Sequence, residues 1–390
     1  MIPYGRQSIS DEDVQAVVDV LRSDFLTQGP IGPAFETAVA SYCGAEFGIA
    51  VNSATSALHL ACMALGLGDG DRLWTSPISF VASSNCGLYC GADVDFVDID
   101  AQSYNMSTSA LAAKLAQAEK DDALPKVVVP VHLCGQPCDM EGIHALSKKY
   151  GFHIIEDASH AVGARYKGEP VGNCKFSDIA VFSFHPVKIV TAGEGGMAVT
   201  NNPELAASMA RLRSHGITRS AAEMDTLSHG PWFYQQIALG YNYRMTEIQA
   251  ALGLSQLKRL DEFVAKRHAL VDRYNALFEG TNIQIPVQSD DSYSSFHLYV
   301  MRLKNITASS THRETFERLR NNGIGVNLHY IPIYRHPYYA KMGFDASDFP
   351  QAEAYYAEAI SLPLYPDLTD DQQDQVVRVL ASASGHQTLF

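Results

Sequence analysis

Val181-Phe182-Ser183-Phe184-His185-Pro186-Val187-Lys188, followed by Thr191-Ala192-Gly193-Glu194-Gly195-Gly196, is the stretch on which the reading of this chain turns. An apolar strand runs out into a serine, then a proline-bearing turn, one lysine and a glycine-rich turn. Such a sequence presents a single amine at a strand end with restricted motion. Lysine loses its charge readily on desolvation, and a neutral amine is the nucleophile that captures a carbonyl as a Schiff base. The plainer reading of any lone lysine is a solvated residue in a loop. The residues around Lys188 argue against that reading here.

Thirty-one residues upstream, Phe152-His153-Ile154-Ile155-Glu156-Asp157-Ala158-Ser159-His160 reads as a buried strand that ends in a carboxylate. A pyridine ring that must stabilise a carbanion is a better electron sink when its nitrogen is protonated, and a carboxylate holds that proton. Asp157 is placed for this; its alternative is a helix N-cap. Asn52-Ser53-Ala54-Thr55-Ser56-Ala57-Leu58 follows the apolar run Phe47-Gly48-Ile49-Ala50-Val51. Small and hydroxylic residues at a strand-to-helix turn leave backbone N–H groups free at the positive helix end, a cup for a phosphate, although simple capping uses the same residues. Ser183 adds a further donor. An amine, a carboxylate and a phosphate cup together point to pyridoxal phosphate, with pyridoxamine phosphate as its other form during turnover.

These three stretches resemble the DegT/StrS-type sugar aminotransferases of the fold-type-I class. The resemblance continues through Asp24-Phe25-Leu26-Thr27-Gln28-Gly29-Pro30, Gly240-Tyr241-Asn242-Tyr243-Arg244-Met245-Thr246-Glu247 and Leu328-His329-Tyr330-Ile331-Pro332, so it covers nearly the whole chain. Within the family, the segments at 184–196 and 329–334 look most like the 4-aminotransferases of pseudaminic acid biosynthesis. The resemblance implies the following roles. Lys188 holds the cofactor and shuttles a proton, Asp157 pairs with the ring nitrogen, and His160 lies beside the phenolic oxygen where the family more often has Gln. Phe80 stacks on the ring, or serves only as a core residue at a helix start. Ala54, Thr55 and Ser183 take the phosphate, and Asn242 reaches it from the neighbouring subunit of a homodimer with shared sites. Tyr4, Leu26, Thr27, Gln28, Gly29, Ser56, Ser183, Asn242, Asn327, Leu328, His329 and Tyr330 match substrate-contacting positions. The implied reaction carries an amino group from glutamate to C4 of a UDP-linked 4-keto-6-deoxy-N-acetylhexosamine. No arginine motif independently identifies a clamp for the donor carboxylate. A sister aminotransferase making another 4-amino sugar is the nearest alternative; a sugar dehydratase of the same fold has His in place of Lys188, and a regulator would not need the intact set.

The 390 residues, 46% of them hydrophobic, suffice for a large core and two or three domains. With no apolar run of membrane-spanning length and no secretory leader in Met1-Ile2-Pro3-Tyr4-Gly5-Arg6, a cytoplasmic protein is expected. Seven cysteines, an odd number without a CxxC pair, fit free thiols. Cys86/Cys90 and Cys134/Cys138 share a CxxxC spacing but lack a second ligand arm, so no metal is expected. A net charge of -14 and the lack of a basic stripe argue against nucleic acid.

Periodicity predicts strands at 47–51, 72–75, 93–98, 126–131, 152–156, 178–184 and 196–200, with helices at 10–22, 33–43, 53–65, 79–89, 139–150 and 203–214. This alternation is that of an α/β fold, a mostly parallel sheet covered by helices. Ligands in such sheets collect beyond strand ends, where Asp157 and Lys188 lie. Residues 246–278 read as long helical periodicity. From about 284 the pattern changes to a strand at 297–303, a helix at 311–322, a strand at 324–329 and helices near 350–359 and 369–383. The expected division is a large cofactor-binding domain over 1–280 and a smaller α+β domain over 281–390. Gly66-Leu67-Gly68-Asp69-Gly70-Asp71 follows a helix and carries acids that repel phosphate, so it reads as a turn. Ser214 to Tyr234 reads as a loop over the site, and Tyr330 to Tyr339 admits either substrate stacking or packing at a domain edge.

Overall fold

The computed structural model describes residues 1–281, 283–304 and 309–383. Its centre is a seven-stranded sheet made of β1 (Phe47–Val51), β2 (Arg72–Thr75), β3 (Asp93–Phe96), β4 (Val127–Val129), β5 (His153–Asp157), β6 (Ile179–Ser183) and β7 (Gly196–Thr200). The spatial order is β1-β7-β6-β5-β4-β2-β3. All neighbouring pairs from β6 through β3 are parallel, whereas β7 runs antiparallel between β1 and β6. The strands read as short apolar runs because helices cover both faces, and β4, β6 and β7 are buried throughout.

Helices α1 (Asp11–Leu21), α2 (Ile31–Cys43), α3 (Ala54–Ala64), α4 (Ala82–Tyr89), α5 (Thr108–Lys120), α6 (Met140–Tyr150) and α7 (Pro203–Leu212) belong to this layer. Their ends follow from local chemistry. Ser10 and Asp13 form a reciprocal capping box on α1, and α6 starts on the Asp139 side chain and stops at Gly151, whose φ of 81° is left-handed. The Gly66–Asp71 segment is a turn closed by Asp71 accepting from the Gly68 N–H. The helical periodicity over 246–278 is split at Lys258 and Arg259 into α8 (Glu247–Leu257) and α9 (Leu260–Leu277). The buried Asp13 carboxylate accepts from both Gln256 and Arg259, so the break also anchors α1.

The second core lies around an antiparallel sheet of β8 (Ile283–Gln284), β9 (Tyr299–Leu303) and β10 (Ala359–Leu362), in that order. Helices α10 (Ser309–Asn321) and α13 (Asp370–Ala383) complete it, whereas α11 (Pro337–Ala340) and α12 (Pro350–Glu358) put Tyr339, Ala352 and Tyr355 into the core of the main sheet. Leu270 and Tyr274 of α9 and its C-cap Phe278, with Ile2 from the N-terminus, share this core with Tyr299, Leu319, Ile360 and Val376. It therefore draws on both sides of residue 280.

Several elements differ from the sequence expectation. Residues 324–329 form no strand of their own. Ile324 bridges Ile2 while Asn327 bridges Ser361, so the segment divides its pairing between two partners and builds no ladder. Residues 359–362 are a strand, and helix α5 was not anticipated. Tyr334 and Tyr339 are buried against Phe96, Phe344 and Phe349, which settles their role as packing, whereas Tyr338 is exposed.

Candidate active site

Asp157 ends β5 and Ser183 ends β6, side by side in the sheet. Beyond Ser183 the chain reverses through a tight loop. Phe184 N–H donates to Gly195 O, Ala192 N–H donates to Phe184 O, and Lys188 N–H donates to His185 O, each at 2.9 Å. The Thr191 hydroxyl takes the Gly193 N–H at 3.0 Å, where φ of 78° requires glycine. This frame returns Lys188 toward Asp157.

Lys188 is half-buried. Burial pushes its amine down to about 8, partly opposed by the nearby Asp157 charge and Cys134, so the neutral nucleophilic form is within reach near neutral pH. Asp157 is buried, and each oxygen is held: Oδ2 accepts from Ser83 Oγ at 2.6 Å and Oδ1 from Ser159 N–H at 3.2 Å. Ser83 is in turn bonded to Ser79 Oγ at 2.7 Å. A fixed carboxylate of this kind can receive a pyridinium proton.

Three buried histidines stand within electrostatic range of Lys188. His160, His297 and His329 are all depressed, first by burial and then by the Lys188 charge, His329 to about 3. Hydrogen bonds fix the tautomers of His160 and His329. Cys134 N–H donates to His160 Nδ1 at 3.2 Å, so the proton sits on Nε2 and faces Tyr330 Oη at 3.1 Å. Asn327 Nδ2 donates to His329 Nε2, leaving Nδ1–H for Ser361 Oγ at 2.8 Å. The His297 ring lies 4.5 Å from that of His160 at a tilt of 50°, and its backbone carbonyl is held by the buried Arg267 guanidinium at 3.1 Å. With His160 donating, the Tyr330 hydroxyl proton is free to point into the cleft.

The remaining predicted residues gather around this centre or stand at its rim. Tyr4 lies 5.3 Å ring to ring from His329, and Gly5 runs past Val187. Phe80 faces Tyr330 at 6.3 Å and is 59% exposed, an apolar ring with an open face at the end of α4's lead-in. Ser53 caps α3 by accepting from Ser56 N–H at 3.1 Å, and the Ser56 hydroxyl is turned inward onto Asn52 Oδ1 at 2.6 Å. Leu328 N–H is held by Asn327 Oδ1 at 2.9 Å. Leu26 to Gly29 packs away from Lys188. Leu26 O accepts from the first N–H of α8, and Glu247 of that helix accepts from Ile31 and Gly32. Gln28 there has φ of 55°, and Thr27 is exposed. Asn242 is also exposed, on a segment joined to Ser214 and, through Tyr243 O, to Asn52 N–H at 2.8 Å. The Ser214–Tyr234 loop is tied at its base to the same segment, His215 N–H donating to Tyr241 O at 2.9 Å.

A phosphorylated pyridine fits these residues. Ala54 and Thr55 N–H groups at the first turn of α3 have no acceptor among the described residues, and the helix dipole adds positive potential there. A Cβ on Gly196 would meet Ala54 N and Ser53 C at 2.5 Å, so glycine lets β7 pass directly beneath the cup and bring Ser183 beside it. Sequence reading missed Ser83, Cys134, His297, Arg267 and Ser361. Each joins the site through long-range packing, and only the glycine-flanked Cys134, at φ 61°, carries even a local sign.

Comparison with known proteins identifies relatives of this chain along nearly its whole length. The DegT/DnrJ/EryC1/StrS aminotransferase family matches residues 7–381. The spore coat polysaccharide biosynthesis protein SpsC of Bacillus subtilis is 38% identical over 382 residues, covering 97% of this chain and 96% of that protein. The putative sugar aminotransferase Spr1654 of Streptococcus pneumoniae, solved in PLP and PMP forms, is 30% identical. Its PMP form superposes with a TM-score of 0.89 over 98% of this chain and 99% of that one. Helicobacter pylori PseC, an aminotransferase involved in the biosynthesis of pseudoaminic acid, is 31% identical with a TM-score of 0.87, covering 98% of each chain.

Proposed function

The chain belongs to the DegT/DnrJ/EryC1/StrS aminotransferase family and is a pyridoxal phosphate-dependent sugar aminotransferase, and we propose that it carries the amino group of glutamate to C4 of a UDP-linked 4-keto-6-deoxy-N-acetylhexosamine, giving UDP-4-amino-4,6-dideoxy-N-acetyl-β-L-altrosamine. The observation that carries the chemistry is the half-buried Lys188 amine, lowered toward neutrality beside the fixed Asp157 carboxylate. Likeness to PseC and the His329–Tyr334 segment supports the choice of sugar.

When bound, the cofactor supplies a carbonyl that accepts the amine and a ring that takes up carbanion charge. Residues of this chain do the rest. Lys188 Nζ would hold the cofactor through its carbonyl carbon and would supply the base that moves a proton on and off the reacting carbon. The Asp157 carboxylate, kept in place by Ser83, would hold the ring nitrogen's proton. Ala54, Thr55 and Ser183 hold the phosphate, joined by Asn242 of a second copy. Phe80 covers the ring, and His160, neutral with Nε2–H on Tyr330, sets that hydroxyl toward the cofactor edge. Tyr4, Ser56, the Asn327–Tyr330 segment and the Leu26–Gly29 turn hold the sugar nucleotide, the last from across the dimer. Holding both reactants in one geometry is a main source of rate.

Identity with SpsC exceeds that with PseC, which favours a sister activity on another 4-keto sugar as the second reading. A competition assay decides, with glutamate as donor and UDP-, dTDP- and GDP-linked 4-keto sugars as acceptors, read as kcat/KM. Preference for the UDP-linked N-acetylhexosamine supports the proposal. Preference for a GDP-hexose or a UDP-4-keto-pentose moves the protein to the sister branch.

A further inference from the structure

His329 is held by the protein at both ring nitrogens and at its backbone oxygen. Asn327 Oδ1 accepts from Leu328 N–H at 2.9 Å, so the Asn327 side-chain nitrogen is the end that faces His329 Nε2, at 3.3 Å. His329 Nδ1–H then donates to Ser361 Oγ at 2.8 Å, and the His329 carbonyl accepts from Tyr355 Oη at 2.7 Å. All three residues, His329, Ser361 and Tyr355, are buried. With its polar ring atoms spent inside the fold, His329 supports two neighbouring rings instead. Tyr4 lies 5.3 Å away, and Tyr330 meets it edge-on at 5.0 Å. Tyr330 goes on to face Phe80 at 6.3 Å and sets its hydroxyl 3.1 Å from His160 Nε2.

The two side chains that hold His329 come from different cores and are themselves fixed. Ser361 lies on β10 and exchanges backbone hydrogen bonds with Asn327, donating at 2.8 Å and accepting at 3.3 Å. Tyr355, on α12, packs on the Tyr104 ring at 4.8 Å, with the Arg302 guanidinium 6.0 Å from its centre. Arg302 is fixed in turn by Glu358, three residues further along α12, and by Ala101 O at 3.1 Å. A phenyl ring would supply the same packing as Tyr355; what the hydroxyl adds is its hold on His329 O.

On the reading that the Asn327–Tyr330 segment binds the acceptor, we propose that Tyr355 and Ser361 are positioning residues of the sugar subsite, which fix His329 so that Tyr330 presents its hydroxyl to the sugar. Tyr330 accepts from His160 Nε2–H, so its own proton is left for an oxygen of the ligand, and an uncharged donor suits a sugar hydroxyl or keto group. Loss of either hold lets the His329 ring turn and the Tyr330 hydroxyl drift. Lys188, Asp157 and the phosphate cup stand on the main sheet and its first helix, so the loss falls on the sugar and not on the cofactor.

The test uses the cofactor-loaded enzyme with whichever nucleotide-linked 4-keto sugar gives the highest kcat/KM, so its outcome does not depend on which sugar that is. Cofactor absorbance follows the two half-reactions separately, glutamate converting the loaded protein to its amino form and the sugar returning it. Tyr355→Phe and Ser361→Ala should each raise the KM of the sugar about fivefold, as loss of one neutral hydrogen bond does, with the donor half-reaction and the cofactor Kd within about twofold of the parent. Tyr330→Phe should raise the sugar KM as well. An unchanged sugar KM in Tyr355→Phe and Ser361→Ala beside a raised one in Tyr330→Phe overturns the positioning role and leaves the segment's binding role standing. An unchanged KM in all three variants overturns both. Equal losses in the two half-reactions and in cofactor affinity make Tyr355 and Ser361 core residues alone, which also overturns the proposal. Should Ser361→Ala fail to fold, Tyr355→Phe keeps the ring and its packing and carries the test.

Discussion

Lys188 and the three histidines near it make stability rise with pH in two separate windows. In the cofactor-free protein Lys188 titrates at about 8, against about 10.4 in an unfolded chain. Between those values the unfolded state keeps a proton that the folded state has lost, so stability rises with pH across that window. A Lys188→Ala variant lacks the rise. His160, His297 and His329 are depressed and stay neutral when folded. Below about 6.5 the unfolded chain takes up those protons and the folded one does not, so stability falls as pH drops. Thermal melts of cofactor-free protein and variant from pH 5 to 10 check both signs; a variant profile parallel to that of the parent above pH 8 contradicts the Lys188 assignment. Lys188 and Asp157 were legible because each sits where an apolar run ends. Ser83 and His297 were not, since Ser83 reaches Asp157 across 74 positions and His297 is aimed by a buried arginine on α9.

At the level of elements, the junction of β7 with α3 sets the cup. Gly196→Ala would drive a Cβ into the backbone of Ser53 and Ala54, which unlike a flexible side chain cannot turn aside. We expect a cost of about 1–3 kcal/mol in stability and a larger loss of cofactor affinity than a surface alanine substitution causes. Denaturant unfolding and cofactor titration measure these separately; unchanged affinity contradicts the role given to the cup. The seven strands of the main sheet were readable because burial on both faces makes each a short apolar run. Helix α5 escaped notice although Ser107 caps it and Leu111, Leu115 and Ala118 recur at helical spacing. Its alanine-rich, weakly apolar face blurred the period. The segment 324–329 misled for the reverse reason: Ile324 and Val326 alternate like a strand, yet Ile324 bridges the N-terminus while Asn327 bridges β10. Pairing partners distant in sequence are invisible to local pattern.

For the molecule as a whole, the Leu26–Gly29 turn and Asn242 are the residues that one chain leaves outside its own Lys188 cluster, and both are largely exposed. Phe25, Leu26, Leu227, Trp232 and Leu239 add exposed apolar surface on the same segments. The homodimer with shared sites proposed above would account for them. Mixing Lys188→Ala with Asn242→Ala subunits should then regenerate one complete site per hybrid dimer, and activity above that of either parent measures it. No recovery after verified subunit exchange contradicts the shared site. The central claim, that Lys188 is the amine holding pyridoxal phosphate, has a more direct test. Borohydride reduction of the loaded protein, followed by peptide mapping, should place the cofactor covalently on the peptide containing Lys188, and Lys188→Ala should show neither the adduct nor turnover. The adduct on another lysine, or turnover retained in the variant, would contradict the account.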